Sequence, residues 1–116
     1  MVVTDDPEIR QEAEFVFPAD MEVHLAWDAG DAIDLIRRLL PAVVIVDLRS
    51  GNAGGFSLTR EMRQFSELDD VPVLIVLERE QDGWLADQAG ATAYRTKPID
   101  TSDLVADALA LMPPAG

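Results

Sequence analysis

The chain has 116 residues, 48% of them hydrophobic, and a formal net charge of −13, which allows one domain with one core and leaves no basic track to hold nucleic-acid phosphates. It contains no cysteine, which excludes disulfides, thiolate metal sites and a cysteine nucleophile and suits a reducing compartment. MVVTDDPEIR at the start lacks the basic-then-apolar pattern of a signal peptide, and the longest apolar runs, PAVVIVDL and VPVLIVL, are strand-length, so the sequence reads as soluble and cytoplasmic, with no membrane span and no direct nucleic-acid partner.

In chain order, MVVT is a short apolar strand ending at Asp5 and Asp6, and Pro7 opens a helix with Ile9, Ala13, Val16 and Phe17 on one face, stopped by Pro18. EVHLAWD (22–28) reads as the second strand. Gly30 and Asp31 lead into AIDLIRRLL, whose Ile33, Ile36, Leu39 and Leu40 form a stripe ended by Pro41. The third strand is AVVIVDL, with Val43, Val44, Ile45 and Val46 running into Asp47 and then a loop with Gly51, Gly54 and Gly55. Ser57 is the expected N-cap of the next helix, spaced by Leu58, Met62 and Phe65. VPVLIVL (71–77) is the fourth strand, and GWLADQAG a fourth, weaker helix closed at Gly90 by the left-handed conformation glycine allows. ATAYRTK is the fifth strand. Thr101 or Ser102 caps a last helix with Leu104, Val105, Ala108, Leu109 and Met112 on its apolar face, ended by Pro113 and Pro114.

Five strands alternating with five helices imply right-handed crossovers to a parallel sheet covered on both faces, a three-layer α/β sandwich over 1–112 with 113–116 as a tail or the start of a linker. In open α/β sheets ligands bind outside the carboxyl ends of the strands. There the sequence places Asp5 and Asp6 after strand one, Asp47 after strand three and Lys97 after strand five. Converging carboxylates suit Mg²⁺, and the lysine could neutralise a phosphoryl group or pair with a carboxylate. Each residue alone is an ordinary polar strand end; only their joint placement points to a site.

These residues resemble the receiver domain of two-component response regulators along essentially the whole chain. VVTDDPEIR is similar to the family's first strand and acidic turn, VVIVDLRSGNAGGF to its phosphoacceptor strand and loop, and GATAYRTKPID to its Gly-Ala-x-x-Tyr-x-x-Lys-Pro block. The resemblance implies a flavodoxin-like (βα)5 fold with strand order 2-1-3-4-5. It also implies that Asp47 accepts a phosphoryl group from a histidine kinase or phosphotransfer protein. Mg²⁺ would be held by Asp5, Asp47 and the backbone carbonyl of Arg49, and Lys97 would pair with a phosphoryl oxygen. An output protein or a homodimer would engage the fourth helix, fifth strand and fifth helix. Beyond its own phosphorylation and dephosphorylation, no enzyme activity is implied.

The sequence departs from the family pattern at Thr4, where the first member of the acidic pair is usual, and at Leu77, where the family carries a Ser or Thr that bonds the phosphoryl group. Glu78 replaces a small residue, Ser50-Gly51 replaces Met-Pro, and the segment from Leu77 to Lys97 is about two residues short, which foretells a truncated or displaced fourth helix. The alternative reading is a degenerate receiver that works as a phosphorylation-independent interaction module. His24, the sole histidine, rules out a histidine metal site; Trp27 and Trp84 read as core or interface residues, and Tyr94 matches the family's aromatic position on the partner face.

Overall fold

The computed structural model describes residues 2–4, 25–26, 29–47, 53–77, 79–96 and 100–111. Five strands, β1 (Val2–Thr4), β2 (Leu25–Ala26), β3 (Val44–Asp47), β4 (Val73–Leu77) and β5 (Ala93–Thr96), alternate with helices α1 (Ala29–Leu39), α2 (Ala53–Met62), α3 (Gly83–Ala89) and α4 (Thr101–Leu111). Single 3₁₀ turns, Ser66–Leu68 and Glu80–Asp82, precede β4 and α3. The helix expected at 7–17, with His24 and Trp27, lies outside the described residues. As a result α3 and α4 are the fourth and fifth helices of the sequence reading.

The strands are parallel and lie side by side in the order β2-β1-β3-β4-β5. Two-residue alternation sorts the central strands onto two faces. Val44, Val46, Val73, Ile75 and Leu77 pack with Ile36 of α1, Leu58 and Met62 of α2 and Ala86 of α3. Val2, Ile45, Leu74 and Val76 pack with Leu104 and Ala108 of α4. Every residue of β4 is buried, which is why its sequence is an unbroken apolar run rather than an alternating one. Each such side chain contributes roughly 1.5–3 kcal/mol by leaving water.

Several local expectations change in three dimensions. The second helix of the described chain begins at Ala53, not at Ser57, which is an exposed residue one turn inside it. Thr101 is the first residue of α4, so the capping position falls on Asp100, whose carbonyl accepts from the Leu104 amide at 3.1 Å. Leu39 and Leu40 were expected in the core stripe of α1, and Leu109 in that of α4; they are 37%, 54% and 39% exposed. The stripe ends at Ile36, about one turn before the helix itself ends at Leu39. Leu40, just past the helix, takes a left-handed φ of 47°, its amide donating to the Ile36 carbonyl at 2.9 Å, and the chain turns away from the packed face there.

Gly90 closes α3 with φ 97°, as its sequence position predicted. Beside it lies a contact that pattern does not show. Arg63, just past α2, donates from Nε to the Gly90 carbonyl at 3.0 Å, and its Nη1 reaches the carbonyls of Leu68, Asp69 and Val71 at 3.0, 3.1 and 2.9 Å. One guanidinium therefore ties the ends of two helices to the turn that feeds β4.

Candidate functional site

The carboxyl edge of the sheet is made by the last residues of the strands, Thr4, Asp47, Leu77 and Thr96. The apolar run Val43–Val46 buries β3 under helices on both faces, and burial of the run delivers Asp47 as the first residue that need not be apolar. The register places Thr4 directly opposite Asp47, at the strand spacing of about 4.8 Å. On the other side Val46 pairs with Ile75, and Leu77 pairs with Thr96. The middle strand of the sheet thus ends in a carboxylate residue flanked by a neutral hydroxyl residue.

Of the residues singled out for chemistry, the structure gives the backbone position of Asp47. Asp5, Arg49 and Lys97, like Asp6 and Glu78, lie outside the described residues, adjoining β1, β3, β5, β1 and β4 in the chain. Among the described residues no three acidic or histidine side chains are grouped to hold a metal ion. Leu77 is wholly buried and belongs to the main core cluster. A side chain so placed has no hydrogen to donate and no water to leave.

Next to this edge, on α3 and β5, the structure shows an arrangement that sequence reasoning missed. A Cβ built on Gly83 would lie 2.5 Å from both Cζ and Oη of Tyr94, so the Tyr94 ring rests on the backbone at the start of α3. Gly83 is a notch for the ring rather than merely a weak helix former. No spacing rule joins residues 83 and 94, so only the packing of α3 against β5 shows it. Trp84, the next residue, is 62% exposed and Tyr94 39%, which removes Trp84 from the core.

Two ion pairs border this region. Arg79 donates from Nε and Nη2 to Asp82, both at 3.3 Å. Arg95 is held by Asp107 of α4 through Nη2 to Oδ1 at 3.0 Å, with Nε against Oδ2. The Asp107 hydrogen bond and charge, followed by Asp103, raise the Arg95 pKa. A raised arginine stays charged through the neutral range, so this pair loses its cation only in strong alkali.

A parallel sheet sheathed by helices, with its middle strand ending in an aspartate, defines an α/β domain of the kind that binds ligands at the strand ends. Over residues 1–109 the sequence matches the profile of the family described as response regulator receiver domain, and the chain belongs to that family. It is similar to a LuxR-family two-component response regulator from Aurantimonas sp. SI85-9A1, with 32% identity, 96% of this chain and 81% of that one covered, and a TM-score of 0.79. A response regulator from Burkholderia multivorans gives 28% identity, coverages of 99% and 95%, and a TM-score of 0.72. The chemotaxis response regulator CheY4 of Vibrio cholerae shares the fold, with a TM-score of 0.84, 23% identity and coverages of 96% and 95%. Among the described residues no helix is long and apolar enough to cross a membrane.

Proposed function

We propose that this receiver domain accepts a phosphoryl group on Asp47, with a histidine kinase or phosphotransfer protein as donor. The observation that carries the reading is the place of Asp47, last residue of the middle strand and opposite the end of β1. From a phosphohistidine, a carboxylate oxygen of Asp47 would form the new P–O bond. The P–N bond would break with its electron pair, leaving on the imidazole, which takes up a proton. Such a transfer asks the protein mainly for alignment and charge neutralisation.

Lys97, which directly follows β5, supplies a cation for a phosphoryl oxygen. The remaining donors proposed at the site, the carboxylates of Asp5 and Asp47 and the backbone carbonyl of Arg49, are all oxygen, the type Mg²⁺ takes. Bound there, the ion would offset the charge of the incoming group. Thr4, opposite Asp47 in the register, is a neutral residue where a second acid would strengthen that hold. The fit is one of donor type, with one charge fewer than the family pattern provides.

The full burial of Leu77 favours a second reading, a receiver that signals by contact without phosphorylation. The position that carries a hydroxyl in relatives is here part of the core and cannot answer to a phosphoryl group. One experiment separates the two. The protein is incubated with Mg²⁺ and acetyl phosphate and weighed intact. A hydroxylamine-labile adduct that Asp47→Asn abolishes is the expected outcome; no adduct under conditions that modify an ordinary receiver domain leaves the contact reading.

A further inference from the structure

We infer that the chain pairs with a second copy of itself through the exposed side of α1, the two helices crossing antiparallel about a two-fold axis. Helix α1 returns from β2 to β3 between parallel strands, so its last turn lies at the amino edge of the sheet, away from Asp47. Strand β5 is at the far side of the sheet order, and neither α3 nor α4 belongs to this surface. The first support is an apolar run in contact with water. Leu39 and Leu40 are 37% and 54% exposed, Pro41 is half-buried and Ala42 is exposed. Consecutive apolar residues at the surface contribute nothing to the fold and point to a contact. Leu40 also holds its left-handed φ of 47° where glycine would sit without strain. Strain kept at an exposed side chain marks a position retained for function.

The second support is charge, and it selects the occupant. Asp34 and Arg38 stand one turn apart on α1, both exposed. An acid four residues before a base is the spacing at which an intrahelical pair can form, yet among the described residues neither side chain forms an ion pair. Arg37 beside them is already engaged, by Glu67 at 3.6 Å and by the Phe65 ring at 4.1 Å from its centroid. A two-fold axis near the middle of α1 sets Asp34 of one copy against Arg38 of the other and repeats the match across the axis. The apolar runs from residues 39 to 42 then flank the crossing at both ends. Parallel alignment would instead set like charges together. At 0.15 M salt the Debye length is about 8 Å, so the net charge of −13 opposes such pairing mainly at lower ionic strength.

The test uses the whole chain with no phosphodonor, so its result is independent of the fate of Asp47. Sedimentation equilibrium at 0.15 M NaCl is expected to show a dimer. Asp34→Arg and Arg38→Asp should each weaken it roughly tenfold, and the double reversal should recover most of the loss, with equal far-UV circular dichroism showing that the variants fold. Leu40→Ser should weaken it several-fold. Asp34→Arg reduces the net negative charge, so general repulsion alone predicts the opposite change. Asp87→Arg alters the charge equally at an exposed site on α3 and is expected not to weaken the dimer. A chain that stays monomeric at millimolar concentration, a dimer that both single reversals leave intact, or one that Asp87→Arg dissociates and Asp34→Arg does not, would overturn the inference.

Discussion

At the scale of single residues, Leu40 and Leu77 are the most informative positions. Leu40 holds a left-handed conformation, φ 47°, with 54% of its surface exposed. That conformation costs an L-residue roughly 1–2 kcal/mol, and exposure returns nothing for the side chain. Leu40→Gly should therefore raise unfolding stability by up to about 1 kcal/mol after glycine's own entropy is subtracted, measured by denaturant titration; a loss would show that Leu40 packs in some other state. Leu77→Thr carries the opposite expectation. Restoring a hydroxyl there removes buried methyl groups and buries a polar one, at a cost of roughly 2–4 kcal/mol. An unchanged midpoint would mean that the end of β4 is looser than its complete burial says. Gly90 was legible from sequence because glycine announces a positive φ at a helix end; Leu40 was not, because a leucine before Pro41 announces only a stop.

At the scale of elements, strands and helices were legible by period and by their Pro and Gly punctuation, while their joints were not. Helix α2 starts a turn before Ser57 because the pull of a serine toward a cap is weak beside the burial of Phe56 and Leu58. The shortened stretch between β4 and β5 is taken up by a 3₁₀ turn and a seven-residue α3. What fixes the end of α2 to its neighbours is Arg63, which bonds four carbonyls from two segments, the turn before β4 and the end of α3. Arg63→Ala leaves those carbonyls, three of them in part-buried bonds, without their donor, so a loss of roughly 2–3 kcal/mol is expected. Arg63→Lys should recover little of it, since a single ammonium cannot span the same set of acceptors. Hydrogen exchange offers the local readout: protection should fall at the 66–71 turn and at the end of α3. Full rescue by lysine would reduce the tie to simple charge.

At the scale of the whole molecule, a charge of −13 sits on a body whose longest extents are 33 Å. At about 0.01 M salt the Debye length, roughly 30 Å, is as long as the protein, and at 0.15 M it is about 8 Å. Repulsion among the acids is then largely screened, so the melting temperature should climb as NaCl is raised from the first concentration to the second. A fall would mean that exposed pairs such as Arg37–Glu67 and Arg95–Asp107 outweigh the net charge. The sequence alone determined the alternation of strands and helices, the buried character of β3 and β4, the arrival of Asp47 at a strand end and the family resemblance, because each is written in local period or in short motifs. Only the tertiary structure decided that Thr4 stands opposite Asp47, that Leu77 is sealed in the core, that Leu39 and Leu40 face water and that Tyr94 rests on Gly83. Those are relations between segments distant in the chain, set by register and by the fit of one surface to another, and local periodicity carries no term for them.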